Sequence, residues 1–166
     1  MRFAGNRKTE SEIVRFELKN GKFIRLNGYS QTTEQYDYVE GRLVDVVTSR
    51  RSTKNGEIVF CDFYMKNEDD RFVISTLLSS GTTANLICRL KNVKDPANSM
   101  LRIDAWSNNI YTNIYMKENG KPVGRTFLPR VEKIERGLSV ETDSSKRDSA
   151  VLRIIDEIKE KLQRPL

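Results

Sequence analysis

The stretch YVEGRLVDVVTSRRSTKNGEIVFCDFYMKNEDDRFVISTLLSSGTTANLICRLK, Tyr38–Lys91, decides the fold. In Glu57–Lys66 the residues Val59, Cys61, Phe63 and Met65 alternate with Ile58, Phe60, Asp62, Tyr64 and Lys66. A period of two places alternate side chains on opposite faces of a strand. Tyr38–Arg50 before it and Arg71–Leu78 after it are rich in Val, Ile, Leu, Phe and Thr, and read as strands as well. Ser49–Glu57, which holds Asn55-Gly56, reads as a loop between the first two, and Lys66–Arg71 as a polar turn between the last two. Thr82–Lys91 then switches to helical spacing, with Ala84, Ile87 and Cys88 on one face, Leu90 beside it, and Ser79, Ser80 or Thr82 to cap it.

Working outward, Leu101–Ser107 and Ile110–Lys117 are two further alternating strands, with Asn108-Asn109 as a tight turn between them. Three strands, a helix and two strands imply a mainly β chain folded as a five-stranded barrel, with its helix between strands three and four. Gly41 suits a long first strand that bends to serve both halves of such a barrel. Asn20-Gly21 joins Arg15–Lys19 to Lys22–Leu26 as an N-terminal hairpin with Leu18 opposite Phe23, and Asn119-Gly120 joins the last barrel strand to Val123–Leu128. Ser145–Leu162 is an amphipathic C-terminal helix, with Val151, Ile154, Ile155, Ile158 and Leu162 as its stripe and Ser145 and Asp148 as a capping box. The polar run Glu135–Ser144 before it reads as a linker. The resulting division is an N-terminal extension over 1–37, a barrel over 38–134, and a linker with helix over 135–166.

The composition narrows the chemistry. No histidine occurs among the 166 residues, which removes Ser-His-Asp and Cys-His catalysis and His-ligated metals. No GxGxxG or Walker A pattern is present. The two cysteines, Cys61 and Cys88, lie in apolar runs and read as buried thiols. The acids Asp62, Glu68, Asp69 and Asp70 read as belonging mainly to a solvated turn, so no metal and no cofactor is expected. The net charge of +6 favours an anionic partner. No apolar run approaches the roughly 20 residues of a membrane span, and Met1–Glu10 lacks a signal-peptide core. The expected location is the cytoplasm (the host cytoplasm for a viral chain), without membrane contact.

The outward positions of the strands carry rings beside cations and amides. These are Phe60 and Tyr64 on the second barrel strand, Arg102 and Trp106 on the fourth, and Tyr111, Tyr115 and Lys117 on the fifth. The Ser49–Glu57 loop adds Arg50, Arg51 and Lys54, with Arg42 a weaker candidate beside Glu40. Rings on rigid strands stack unpaired bases, while Lys and Arg follow the phosphates. Alternatively, the rings lie under the N-terminal hairpin or the C-terminal helix.

On these residues the chain resembles an OB-fold single-stranded DNA-binding protein of the type large DNA bacteriophages encode. The resemblance runs through Tyr38–Ser75, Ser80–Val93, Asn109–Val123 (NIYTNIYMKENGKPV) and Gly124–Ile134 (GRTFLPRVEKI). It implies a five-stranded OB-type β-barrel and sequence-tolerant binding of single-stranded DNA in replication, recombination or repair, without enzymatic activity. RNA stays open as a ligand, as do replication proteins and a homo-oligomer as partners. Many such proteins end in an acidic tail that recruits partners. This chain ends EKLQRPL instead, so that recruitment route does not carry over. The helix before it packs on the barrel, mediates self-association or covers the DNA groove. Two other functions compete: a protein–protein adaptor on a small β-barrel, and a carboxylate-dependent nuclease, for which the acids form no convincing set.

Overall fold

The computed structural model describes residues 13–25, 34–68, 70–108, 111–126, 128 and 140–163, with 140–146 described by backbone alone. Along the chain run β1 (Val14–Lys19), β2 (Lys22–Arg25), β3 (Glu34–Tyr36), β4 (Tyr38–Thr53), β5 (Gly56–Asn67), β6 (Asp70–Leu77), α1 (Gly81–Leu90), β7 (Leu101–Asn108), β8 (Tyr111–Glu118), β9 (Lys121–Pro122) and α2 (Val140–Gln163). The expected order of three strands, a helix and two strands is therefore present. Asn109 of the expected Asn108-Asn109 turn, Ile110 at the start of the expected fifth strand, the strand end at Leu26, Asp69, and most of residues 127–139 lie outside the described residues.

The Ser49–Glu57 segment is not a loop. β4 and β5 stay paired through Ser49↔Phe60, Arg51↔Ile58 and Thr53↔Gly56, leaving only Lys54 and Asn55 to turn the chain. Ser and Thr continue a ladder readily, and Gly56 takes the positive φ of 110° that follows the turn. Asn20-Gly21 and Asn119-Gly120 form two-residue turns with positive φ at both positions, as Asn-Gly hairpins require. The first sets Leu18 opposite Phe23, as the sequence implies.

The expected closed five-stranded barrel is not what forms. Among the described residues the strands make one mixed sheet in the order β3-β2-β1-β6-β5-β4-β7-β8-β9. β6 does not pair with β8. Its free edge is taken by β1, which runs parallel to it from Val14↔Phe72 to Glu17↔Ser75. The N-terminal hairpin then reaches the far strands by its turn: the Gly21 N–H donates to Thr112 Oγ1 at 3.0 Å. Edge strands expose unpaired backbone groups, and here a strand from outside the expected barrel covers one.

One core lies on the inner side. Leu43, Val46, Cys61, Phe63, Met65 and Ile74 meet Ile103, Ile114 and Met116 there, and Phe23 of β2 joins them. Phe16 braces the hairpin, edge-on to Phe23, Tyr36 and Phe72 with ring centroids 5.8–6.4 Å apart. Ser80 caps α1, its hydroxyl accepting the Thr83 N–H at 3.2 Å. α2 begins at Val140, so residues 140–144 of the expected linker are helical and Ser145 is not a cap. Asp148 instead accepts from the Ser79 hydroxyl. Val151, Ile154, Ile155 and Ile158 bury the apolar stripe in the core, and the Lys161 ammonium donates to the carbonyls of Lys91 and Val93 just past α1. The C-terminal helix thus packs on its own chain. Glu118 fastens the segment after α1 to β8, accepting from the Lys94 and Asp95 N–H groups and the Ser99 hydroxyl at 3.0, 3.0 and 2.7 Å.

Two predictions follow from this packing. At Gly21, φ is +73° and an added Cβ would lie 2.4 Å from the Ser107 nitrogen, whereas at Gly120, φ is +84° with open space around it. Gly21→Ala should therefore cost more than the roughly 1–3 kcal/mol of backbone strain alone, and Gly120→Ala about that strain and no more. Urea unfolding of both variants checks this, and equal losses would contradict the close approach. For Glu118, burial works to raise the carboxyl pKa, but the bonds from Ser99, Asp95 and Lys94 outweigh it and the net shift is downward from 4.5. The folded state then holds fewer protons than the unfolded one between the two values. The stabilisation is present above pH 4.5 and is lost as pH falls through the lowered folded value. Glu118→Gln should lower the urea midpoint at neutral pH and change it much less in acid below that window.

Candidate nucleic-acid interface

Pairing registers place the outward side chains of β4, β7 and β8 on one surface. Tyr38 lies opposite Asp104 and Asp104 opposite Tyr115, Glu40 opposite Arg102 and Arg102 opposite Lys117, and Trp106 opposite Asn113. Tyr38, Trp106, Tyr111 and Tyr115 are 45, 43, 69 and 56% exposed, so neither the N-terminal hairpin nor α2 covers these rings. Trp106 and Tyr115 stack with centroids 6.3 Å apart and planes 20° from parallel. Lys117 is exposed beside Tyr115 on the same strand.

Arg102 is engaged within this surface. Its guanidinium lies 3.8 Å over the Tyr38 ring, donates to Asp104 at 3.1 Å, and is 3.8 Å from Glu40. Glu40 therefore pairs across the sheet with Arg102, while Arg42 stands opposite Lys66. The sequence reading missed Tyr38, which shows the same alternation as Glu40 and could have been found by extending the period to the first residue of β4. It also missed Arg89 of α1, whose guanidinium lies 5.4 Å over the Tyr115 ring. No strand periodicity reports on a helix residue that reaches a strand ring.

A second set of candidates gathers on the outer side of β5 and β6. Arg51 lies 4.4 Å over the Phe60 ring and 3.7 Å from the Asp62 carboxylate. Asp62 was expected to face solvent but is 3% exposed. It is covered because Arg15 of β1 stands 3.7 Å away and the Ser75 hydroxyl donates to it at 2.5 Å. A carboxylate withdrawn from water needs such partners, and the two arginines and the hydroxyl supply them. Between β1, β6 and the start of α1 a groove of about 270 Å³ opens, lined by Arg15, Glu17, Arg51, Phe60 and Leu77 among others. Arg15 and Arg51 both stand 3.7 Å from the Asp62 carboxylate, and Glu17 adds an acid to the lining.

The remaining candidates are scattered. Arg50 is exposed and pairs loosely with Glu57 at 3.9 Å. Lys54 is in the turn between β4 and β5. Tyr64 is half-buried opposite Asp45 and Val73, four residues along β5 from Phe60. Two of the acids stand apart on the ladder: Asp62 pairs with Ser75 and Asp70 with Asn67, five ladder positions away. Among the described residues no three His, Cys, Asp or Glu side chains converge as metal ligands. Cys61 and Cys88 are buried, and burial, with the Asp62 charge adding to it, pushes the Cys61 thiol up to about 12. Among the described residues no helix is long and apolar enough to cross a membrane.

β1 links the two sets. Arg15 and Glu17 line the groove, and the turn at Asn20-Gly21 ends against Ser107 and Thr112, beside Trp106. Comparison with protein-family models, with curated proteins and with solved structures found no match to this chain.

Asp62→Ala should lower the unfolding free energy by about 1–3 kcal/mol, because Ser75 loses its acceptor and two guanidiniums are left facing each other. Urea denaturation reads the loss. A midpoint equal to that of the wild type would mean that the arginines are held without the carboxylate.

Proposed function

We propose that this protein binds single-stranded DNA without reading its sequence, on an OB-type framework. The observation that carries the reading is the exposed strip Tyr38, Trp106, Tyr115 and Tyr111 on one sheet surface. Large rings are normally buried, and four of them left in water on a rigid sheet suit a ligand with flat apolar faces. Unpaired bases are such a ligand, and stacking on aromatic side chains is tolerant of sequence. Lys117, Lys54 and Arg50 supply exposed cations, and the net charge of +6 attracts a polyanion.

The order β6-β5-β4-β7-β8 with α1 between β6 and β7 supports the OB-type reading. That fold is a partly open five-stranded barrel whose second and third strands and adjoining loops hold oligonucleotides. In this chain those strands are β5 and β6, which carry Phe60, Ser75 and Leu77. A role in replication, recombination or repair follows from the ligand.

One observation favours a protein partner instead. Glu40 and Asp104 lie within the aromatic surface and neutralise Arg102, which lowers its attraction for phosphate. Interfaces that bind proteins also use Trp, Tyr and Arg.

Trp106 is the only tryptophan, so its fluorescence reports on the strip directly. Unstructured oligo-dT should quench it, duplex DNA should not, and rising salt should weaken the effect. Tyr115→Ala should reduce oligo-dT affinity roughly 5- to 150-fold, the equivalent of about 1–3 kcal/mol for one stacked base. Absence of binding at low salt, by fluorescence and by gel shift, would leave the protein-partner reading in its place.

A further inference from the structure

Val14, Phe16 and Leu18 of β1 pack against the core, so the alternate positions Arg15, Glu17 and Lys19 take the outer face. The strand stays paired with β6 as far as Glu17↔Ser75, and the groove lies along the end of that ladder. Lys19, at the other end of β1, is exposed. The turn that follows it is pressed against β7 and β8. A Cβ on Gly21 would lie 2.6 Å from the Trp106 carbonyl carbon, and the Gly21 N–H donates to Thr112 Oγ1. β1 and its turn therefore run from the groove to the backbone of Trp106, and Arg15 to Lys19 alone spans about 13 Å of extended chain.

The groove, about 270 Å³ in volume, has the chemistry to take one nucleotide. Arg51 lies 4.4 Å over the Phe60 ring, and Leu77, also in the lining, is 45% exposed. A base continues a stack on a ring or on a guanidinium plane. Arg15 and Arg51 share one buried carboxylate, Asp62, and each stands 3.7 Å from it, beyond hydrogen-bond length. Arg15 also donates to the Ser75 hydroxyl. Asp62 thus fixes the two guanidiniums and offsets part of their charge, but does not use up their forks of N–H donors, which fit phosphate oxygens.

We propose that the outer face of β1 is a track for the bound strand. A single strand whose bases lie on Trp106 and Tyr115 crosses the Asn20-Gly21 turn, follows Lys19 along β1 and places a further nucleotide in the groove. There its base lies against Phe60 and its phosphate on Arg15 and Arg51. The track rests on the single-strand reading above and adds to it a second docking point and the course of the strand between the two. Glu17, exposed on the same face, opposes a phosphate on this course.

Strand length separates the track from the aromatic strip. Oligo-dT in a series from about 4 to 16 nucleotides is titrated into the full chain, with Trp106 quenching as the readout. The proteins are the wild type, Phe60→Ala, Lys19→Gln and Glu17→Gln. Short strands on the strip should bind all four equally. Once the strand is long enough to reach the groove, Phe60→Ala should lose affinity roughly 5- to 150-fold, the equivalent of one stacked base. For the same long strands Lys19→Gln should flatten the slope of log affinity against log salt by about 0.7, the share of one phosphate contact. Glu17→Gln should bind them more tightly. Lys19 and Glu17 are surface positions, so these two variants test the track without disturbing the sheet under Phe60. If long strands quench Trp106 and the three variants keep the wild-type affinity and slope, the track is overturned and the strip reading stands. If the variants change short and long strands equally, the groove is not a separate docking point and the track is likewise overturned. If the wild type binds no single strand at low salt, both readings fall together.

Discussion

β4 carries two ladders that lead in different directions. Tyr38–Gly41 pair with β7, and Arg42–Thr53 pair with β5. The handover needs a tight bend, and it comes where Gly41 lies against the Lys66 carbonyl and the Phe72 ring, each 3.0 Å from the position a Cβ would take. A register shift between Leu43 and Asp45 follows directly. Because one strand serves both halves, the inner faces of β5–β6 and β7–β8 share a single core with α1 and α2. The same sharing puts Tyr38 on the surface of Trp106 and Tyr115.

The edge of β6 is the second constraint. A strand edge left open beside a large core invites pairing with other chains, and β1 covers this one in a parallel ladder. Parallel pairing lets a short hairpin enter from the side without a crossover in the core. Its aromatic anchors, Phe16 and Phe23, meet Phe72, while its turn touches β7 and β8. The hairpin is thus both a structural bridge and a wall of the outer groove.

Charge on the surface divides into two kinds. Arg15, Arg51 and Arg102 face carboxylates that hold them in position, so their net field is small. Lys117 and Lys54 are exposed, one beside the aromatic strip and the other at the hairpin tip.

Much of the fold was legible in the residues alone. Alternation in Glu57–Lys66 and Leu101–Ser107 set which side chains face inward, helical spacing set α1, and Asn-Gly set two tight turns. These are local properties: a period or a turn is encoded within a few consecutive positions. The exposed rings Trp106, Tyr111 and Tyr115 were legible for the same reason. What only the tertiary structure decided was partnership. The parallel seat of β1 on β6, the burial of Asp62 between Arg15 and Arg51, the ion pairs that occupy Arg102, and the approach of Arg89 to Tyr115 all join residues distant in sequence. Alternation says on which side a group stands, but which opposite charge or open edge reaches it depends on how the elements pack.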